Sequence, residues 1–98
     1  MKTRKISFRE YGFEPGEEKR LKEYCRKSDF NDHTDLINAA LSANPSIAND
    51  LYYSIVTGLS YDKIGRIRYI PITKVDFYGY QRKCLNIFRN FLLMQGKW

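Results

Sequence analysis

Apolar positions recur at helical spacing through most of this chain. Leu21, Tyr24 and Cys25 stand at i, i+3 and i+4, which is one face of a helix. Pro15 suits a first helical turn, where no amide hydrogen is needed. Glu17 and Glu18 then sit at the positive end of the helix dipole and Arg26 and Lys27 at the negative end. A helix is expected over about 15–27. Ser28 to Asn31 reads as a turn, and Asp32 as the cap of a second helix with Asp35 in capping-box spacing. Leu36, Ile37, Ala40 and Leu41 form its expected apolar face. Asn44 followed by Pro45 is a cap with proline at the first helical position. Ile47, Ala48, Leu51, Tyr52, Ile55 and Val56 continue the period, and Gly58 stops it. With a single cap residue between them, the second and third helices should meet at a sharp angle.

The last third of the chain repeats this grammar. Ser60 caps a short helix from Tyr61, with Asp62 in its first turn and Ile64 and Ile67 expected to face the core. Gly65 is small where the following helix should pass. Pro71 breaks the chain, Ile72 is the apolar residue of the turn, and Thr73 to Asp76 form a capping box. A long helix is expected from Lys74 to Leu93. Phe77, Tyr80, Cys84, Ile87, Phe88 and Phe91 form its inner stripe, while Arg82, Asn86 and Arg89 lie on another face. Lys74, Tyr78 and Arg82, spaced by four, share a side. Gly79 in mid-helix costs about 0.8–1.0 kcal/mol relative to Ala, so either a ligand or the short helix should approach its backbone. Ile6, Phe8, Tyr11 and Phe13 read as an arm laid over the helices; the alternative is that Lys2, Arg4 and Lys5 reach DNA. Trp98, at the end of a short tail, is expected to clamp over an apolar groove, stay loose, or serve a partner subunit. The expected architecture is one all-α domain spanning 1–98 with four to five helices. Within it, 1–13 is an arm, 15–57 a helical platform, 60–93 a helix-turn-helix and 94–98 a tail.

A hydrophobic share of 43% supports a packed core. No apolar run is long enough to cross a membrane, and the basic start has no apolar segment behind it, so the cytoplasm is the expected location. Cys25 and Cys84 lack metal-site spacing and read as reduced core thiols. His33 has no second ligand beside it, and Asp29, Asp32 and Asp35 lack the glycine and distal glutamate of a calcium loop. No paired catalytic carboxylates, nucleophile motif or phosphate-cradling glycine loop is present. No enzyme activity, metal, cofactor or small-molecule substrate is therefore expected.

Charge changes the picture. Residues 1–59 carry nine Lys/Arg and nine Asp/Glu, whereas residues 60–98 carry eight and two, so the whole net charge of +6 falls in the C-terminal segment. A basic surface confined to one unit attracts polyanions or acidic protein surfaces.

The stretch IPITKVDFYGYQRKCL resembles the recognition half of the sigma-factor region-four helix-turn-helix, and is similar to late-gene transcription activators of Gram-positive phages. Tyr61, Ile64 and Gly65 match the first half of that pattern. Ile72, Thr73, Phe77, Tyr80, Arg82, Lys83, Cys84 and Leu85 match the second. The chain departs in between, where about two extra residues and Tyr69-Ile70-Pro71 replace the usual glycine turn. The resemblance implies a small DNA-binding transcriptional regulator from a phage or mobile element. It implies that Lys74, Val75, Asp76, Tyr78 and Arg82 face the major groove, and that Lys63, Arg66, Arg68, Thr73 and Lys83 touch phosphates. Arg89, well down the helix, reads as an ordinary solvated charge. Duplex DNA is the implied partner, with RNA polymerase or a second subunit as further candidates. The alternative is a protein-interaction module using Tyr52, Tyr53, Tyr61, Tyr69 and Tyr78; RNA binding is a third option. The DNA reading gains if Lys63, Arg66, Lys74 and Arg82 fall on one face with Tyr78 exposed, and fails if Tyr78 and Lys74 both point into the bundle.

Overall fold

The computed structural model describes residues 6–98, so Lys2, Arg4 and Lys5 lie outside the described residues. It holds five α-helices and no strand among those residues: α1 (Glu17–Lys27), α2 (Phe30–Ala43), α3 (Ala48–Thr57), α4 (Tyr61–Gly65) and α5 (Lys74–Met94). The expected all-α architecture is the observed one. α5 packs chiefly along α2, and α2 along α3, with α1 closing over α3. Phe77, Leu85, Phe88 and Leu92 of α5 meet Leu21, Leu36, Leu51, Ile55 and Ile64 in a core where each is at most 2% exposed. Burial of each such side chain is worth about 1.5–3 kcal/mol. Cys25 and Cys84 are buried free thiols in this core. Burial, with the Asp32 charge adding to it, pushes the Cys25 thiol up to about 12.

Several local expectations shift. α1 starts at Glu17, because Gly16 takes the left-handed conformation at its cap (φ 80°) and leaves Pro15 in the preceding turn. α2 starts at Phe30 rather than after Asp32, since Asp29 is the cap and accepts from the Asp32 amide at 2.9 Å. Asp32 is buried instead, accepting from the Tyr24 hydroxyl at 2.9 Å. That rotates the inner face of α2 onto Leu36, Ala39, Ala40 and Ala43, and leaves Ile37 and Leu41 exposed. Between α2 and α3 lies a 3-10 turn, Pro45–Ile47, capped by Asn44. Gly58 ends α3 in the left-handed conformation, as expected. His33 is a bridge between helices: its Nε2 lies 2.9 Å from the Cys25 carbonyl and its Nδ1 3.2 Å from the Tyr52 hydroxyl.

Both ends of the described chain fold back onto α1 and α5. Residues 6–13 lie over α5 as an arm, with Phe8 stacked near Phe13 at 4.9 Å and Phe13 buried. Arg89 is not a solvated charge. Its guanidinium donates to the Tyr11 and Gly12 carbonyls at 2.8 and 3.2 Å, covers the Phe13 ring at 4.0 Å, and pairs with Glu17 at 3.3 Å. At the other end Gly96, at φ 72°, reverses the chain after α5. The Lys97 amide then bonds the Leu92 carbonyl at 2.8 Å, the closure of a Schellman motif. The reversal delivers Lys97 Nζ to Asp32 at 3.0 Å and the Trp98 indole N–H to Glu17 at 2.7 Å, with the Trp98 ring edge-on to Tyr24. Trp98 is thus a clamp rather than a loose tail.

Two stability predictions follow from Glu17 and its partners. Burial alone would push the Glu17 carboxyl up, but hydrogen bonds from Trp98 and the Glu14 amide and the Arg89 charge hold it below its ordinary value. Burial acts on Asp32 in the same direction and is likewise outweighed, here by Lys97 and Tyr24. Groups with depressed folded values contribute stability above their unfolded pKa, near 4, and lose it as pH falls through the folded value. Trp98→Phe is expected to lower stability at pH 7 by about 1–3 kcal/mol, the cost of leaving a buried acceptor short of a donor. The gap from wild type should close on acidification from about pH 4 toward pH 2, read as thermal midpoints by circular dichroism; a gap constant with pH would contradict it. Arg89→Ala strips the partner from a pair whose side chains are only 11% and 9% exposed. It should cost about 3–5 kcal/mol in urea unfolding, and a loss below about 1 kcal/mol would show the pair to be solvated.

Candidate nucleic-acid interface

α4, the turn from Arg66 to Thr73 and the first turns of α5 form one unit, built by caps and two tyrosines. Ser60 Oγ accepts from the Lys63 amide at 3.2 Å and Thr73 Oγ1 from the Asp76 amide at 3.3 Å, so both expected caps form. The Tyr61 hydroxyl donates to the Ile72 carbonyl, and the Tyr61 amide donates to the Tyr78 hydroxyl at 3.0 Å. The Tyr61 ring packs 5.4 Å from Phe77. Ile64 and Ile70 are buried beneath. The two extra residues of the turn have a use: they let Ile70 reach the core before Pro71 redirects the chain into α5. Ile67 was expected inside, yet it is 69% exposed, because α4 ends at Gly65 and the helical register stops with it. A Cβ on Gly65 would meet nothing within 4 Å, so its smallness serves no close helix contact. Gly79 is buried, so protein rather than ligand lies against it.

The expected base-reading residues are not all presented. Val75 is 58% exposed. Lys74 is exposed but its ammonium lies 2.8 Å from Asp62, a hydrogen bond that raises its pKa above the ordinary value. Asp76 is half-buried at the third position of α5. Tyr78 is half-buried, turned toward α4 by the Tyr61 amide. Arg82 sits under the arm, its Nε donating to the Ile6 carbonyl at 2.8 Å. Arg82 therefore does not join Lys63, Arg66 and Lys74 as an open reading group, and Tyr78 is not the exposed ring that would strengthen the DNA reading, while Lys74 does stand outside the bundle. Among the expected phosphate contacts, Lys63 and Arg66 are exposed and have no carboxylate within ion-pairing distance among the described residues. Thr73 is exposed at its cap, and Lys83 is half-buried. Arg68 Nε lies 2.7 Å from Asp50 Oδ1 and its guanidinium covers the Tyr53 ring at 5.6 Å.

What remains on the surface is a group of Lys63, Arg66, Thr73, Lys74 and Val75. Two further residues join it: Tyr69, 85% exposed, and Ile67. Sequence reasoning passed over Ile67 as core and used Tyr69 only in the interaction reading. The alternation of cation and apolar residue in Arg66-Ile67-Arg68-Tyr69, just before a proline, was the signal available.

Among the described residues, no group of three or more His, Cys, Asp or Glu side chains is placed to hold a metal ion. No helix there is long and apolar enough to cross a membrane. No protein family, curated protein or solved structure matches this chain.

Proposed function

We propose that this chain is a small DNA-binding protein, and that it meets duplex DNA with the exposed first turn of α5 and the end of α4. The observation that carries this reading is the capped start of α5, where Thr73, Lys74 and Val75 stand in solvent, with Lys63 and Arg66 exposed and without a carboxylate partner among the described residues. Base readers of helix-turn-helix proteins cluster at such a helix start. Val75 suits contact with a thymine methyl, and Lys74, on leaving Asp62, suits the acceptors of guanine. Lys63 and Arg66 suit phosphates, which position the protein without specifying sequence. The reading head is smaller than the sequence pattern implies, because Arg82 holds the arm and Tyr78 holds α4. A role in transcription, and an origin in a phage or mobile element, rest on the sequence resemblance alone.

A second reading has an observation of its own. Ile67, Tyr69 and Val75 are large and exposed on the turn and helix start that also carry Arg66 and Lys74, and exposed apolar side chains interspersed with cations also fit an acidic protein partner.

Fluorescence anisotropy against duplex DNA separates the two. The expected log–log salt slope lies between about −1.8 for Lys63 and Arg66 alone and about −3.6 if Lys74 and Arg68 leave their aspartates for phosphate. Lys63→Glu with Arg66→Glu should abolish binding while the circular dichroism melt is unchanged. Absence of binding by the wild-type chain at 50 mM salt would end the DNA reading and leave the interaction module.

A further inference from the structure

A second basic feature lies where Lys22 and Arg26 of α1 face the corner between α3 and α4 and the side of α5 that carries Tyr78 and Gln81. A niche of about 170 Å³ opens there, with Lys22 and Arg26 of α1 on one wall, Gly58 and Ser60 on the second, and Tyr78 and Gln81 of α5 on the third. Lys22 and Arg26 are four residues apart, on one side of α1. Neither has a carboxylate within ion-pairing distance among the described residues, and the Lys22 ammonium, 5.9 Å from the centre of the Phe8 ring, must swing from that ring to enter the niche. Arg26 arches over the end of α3, its guanidinium 3.6 Å from where a Cβ on Gly58 would stand. The guanidinium makes no hydrogen bond among the described residues, so its donors are open to the niche and to solvent. The Tyr78 oxygen accepts the Tyr61 amide, which leaves its O–H hydrogen to donate. Arg82 stands close enough to add its field at Lys22, as does Arg26. Glu18 offsets part of that field from one turn earlier on α1.

We propose that this niche binds a phosphate group, held by Lys22, Arg26 and the Tyr78 hydroxyl. Two cations, Lys22 and Arg26, line this cavity and no carboxylate does, which is an arrangement a tetrahedral oxyanion completes. Burial together with the like charges of Arg26 and Arg82 lowers the Lys22 pKa, against the opposing pull of Glu18; a bound anion relieves that crowding. The volume holds several waters or one phosphate with its hydration. Two sources share this chemistry: a backbone phosphate of a nucleic acid, or a free phosphate or phosphorylated small molecule. The first source rests on the DNA-binding proposal; the niche itself does not.

The test titrates inorganic phosphate into the full chain, against chloride at equal ionic strength, and follows backbone amide signals by NMR. Saturable shifts at Arg26, Gly58, Ser60 and Tyr78 are expected. Arg26→Gln and Lys22→Gln should each weaken them about tenfold, the loss of one charge-assisted hydrogen bond. Arg26 is exposed, so the first variant should keep the wild-type spectrum elsewhere and separate ligand loss from unfolding. In parallel, the duplex salt slope of Arg26→Gln assigns the source. A slope shallower by about 0.9 places a nucleic-acid phosphate in the niche, while an unchanged slope with phosphate binding retained in wild type points to a free phosphate. If duplex binding is absent and phosphate still saturates, the DNA proposal falls and the niche stands. If phosphate shifts do not saturate, or survive both substitutions, the niche is overturned.

Discussion

One buried carboxylate holds the two ends of the described chain. Glu17, at the start of α1, accepts the Glu14 amide at 2.8 Å, the Trp98 indole at 2.7 Å and the Arg89 guanidinium at 3.3 Å. Arg89 in turn ties down the Tyr11 and Gly12 carbonyls. A carboxylate out of water is tolerated only when it is paired and its lone pairs are filled, so α1, the arm, α5 and the reversed tail must arrive together. An apolar contact of similar area would be less demanding, because hydrophobic burial has no direction. A directional hub admits few alternative packings, which suits a 98-residue chain whose total stability is expected to be only about 5–15 kcal/mol.

The legible parts of this fold are those with local causes. Ser60, Thr73, Asn44 and Gly58 mark boundaries through bonds reaching two to four residues along the chain, and a window of sequence contains everything such a bond needs. The inner stripe of α5 was legible only in part: Phe77, Cys84 and Phe88 are buried as expected, but Tyr80, Ile87 and Phe91 are half-buried, and Leu85 and Leu92 are buried in their stead. α4 has five residues, scarcely more than one turn, so nothing in its pattern could show that the register ends before Ile67. Asp29 and Asp32 are both good caps by type. The choice between them falls to Tyr24 and Lys97, eight and 65 residues away, which need Asp32 inside. Arg82 and Arg89 looked free because the carbonyls they bind belong to residues 76 to 78 positions earlier.

The candidate site suffered most from this. Counting charge along the chain put the whole excess in residues 60–98, but folding redistributes it. Arg68, Lys74, Arg89 and Lys97 all take carboxylate partners, and three of those carboxylates (Asp50, Glu17 and Asp32) come from the first 59 residues. The unit of α4, the turn and α5 therefore presents fewer open cations than its sequence promises. Each carboxylate it borrows leaves the balanced N-terminal part with a cation that has lost a possible counterion.

That exchange is why α1 matters to function. Glu17 faces Arg89 and Trp98, and so is withdrawn from the surface of α1 that carries Lys22 and Arg26. Lys22 and Arg26 line a cavity with no carboxylate in its walls, and Glu18 offsets part of the field at Lys22. A basic segment folded against a neutral one thus moves part of its positive excess onto its neighbour, while its own charges are spent holding the ends of the chain. On the proposed readings, the cations available to a ligand are those the structural ion pairs leave over, and Lys22 and Arg26 on α1 and Lys63 and Arg66 at α4 are better placed for it than Arg82 and Arg89 of the long helix, which hold the arm.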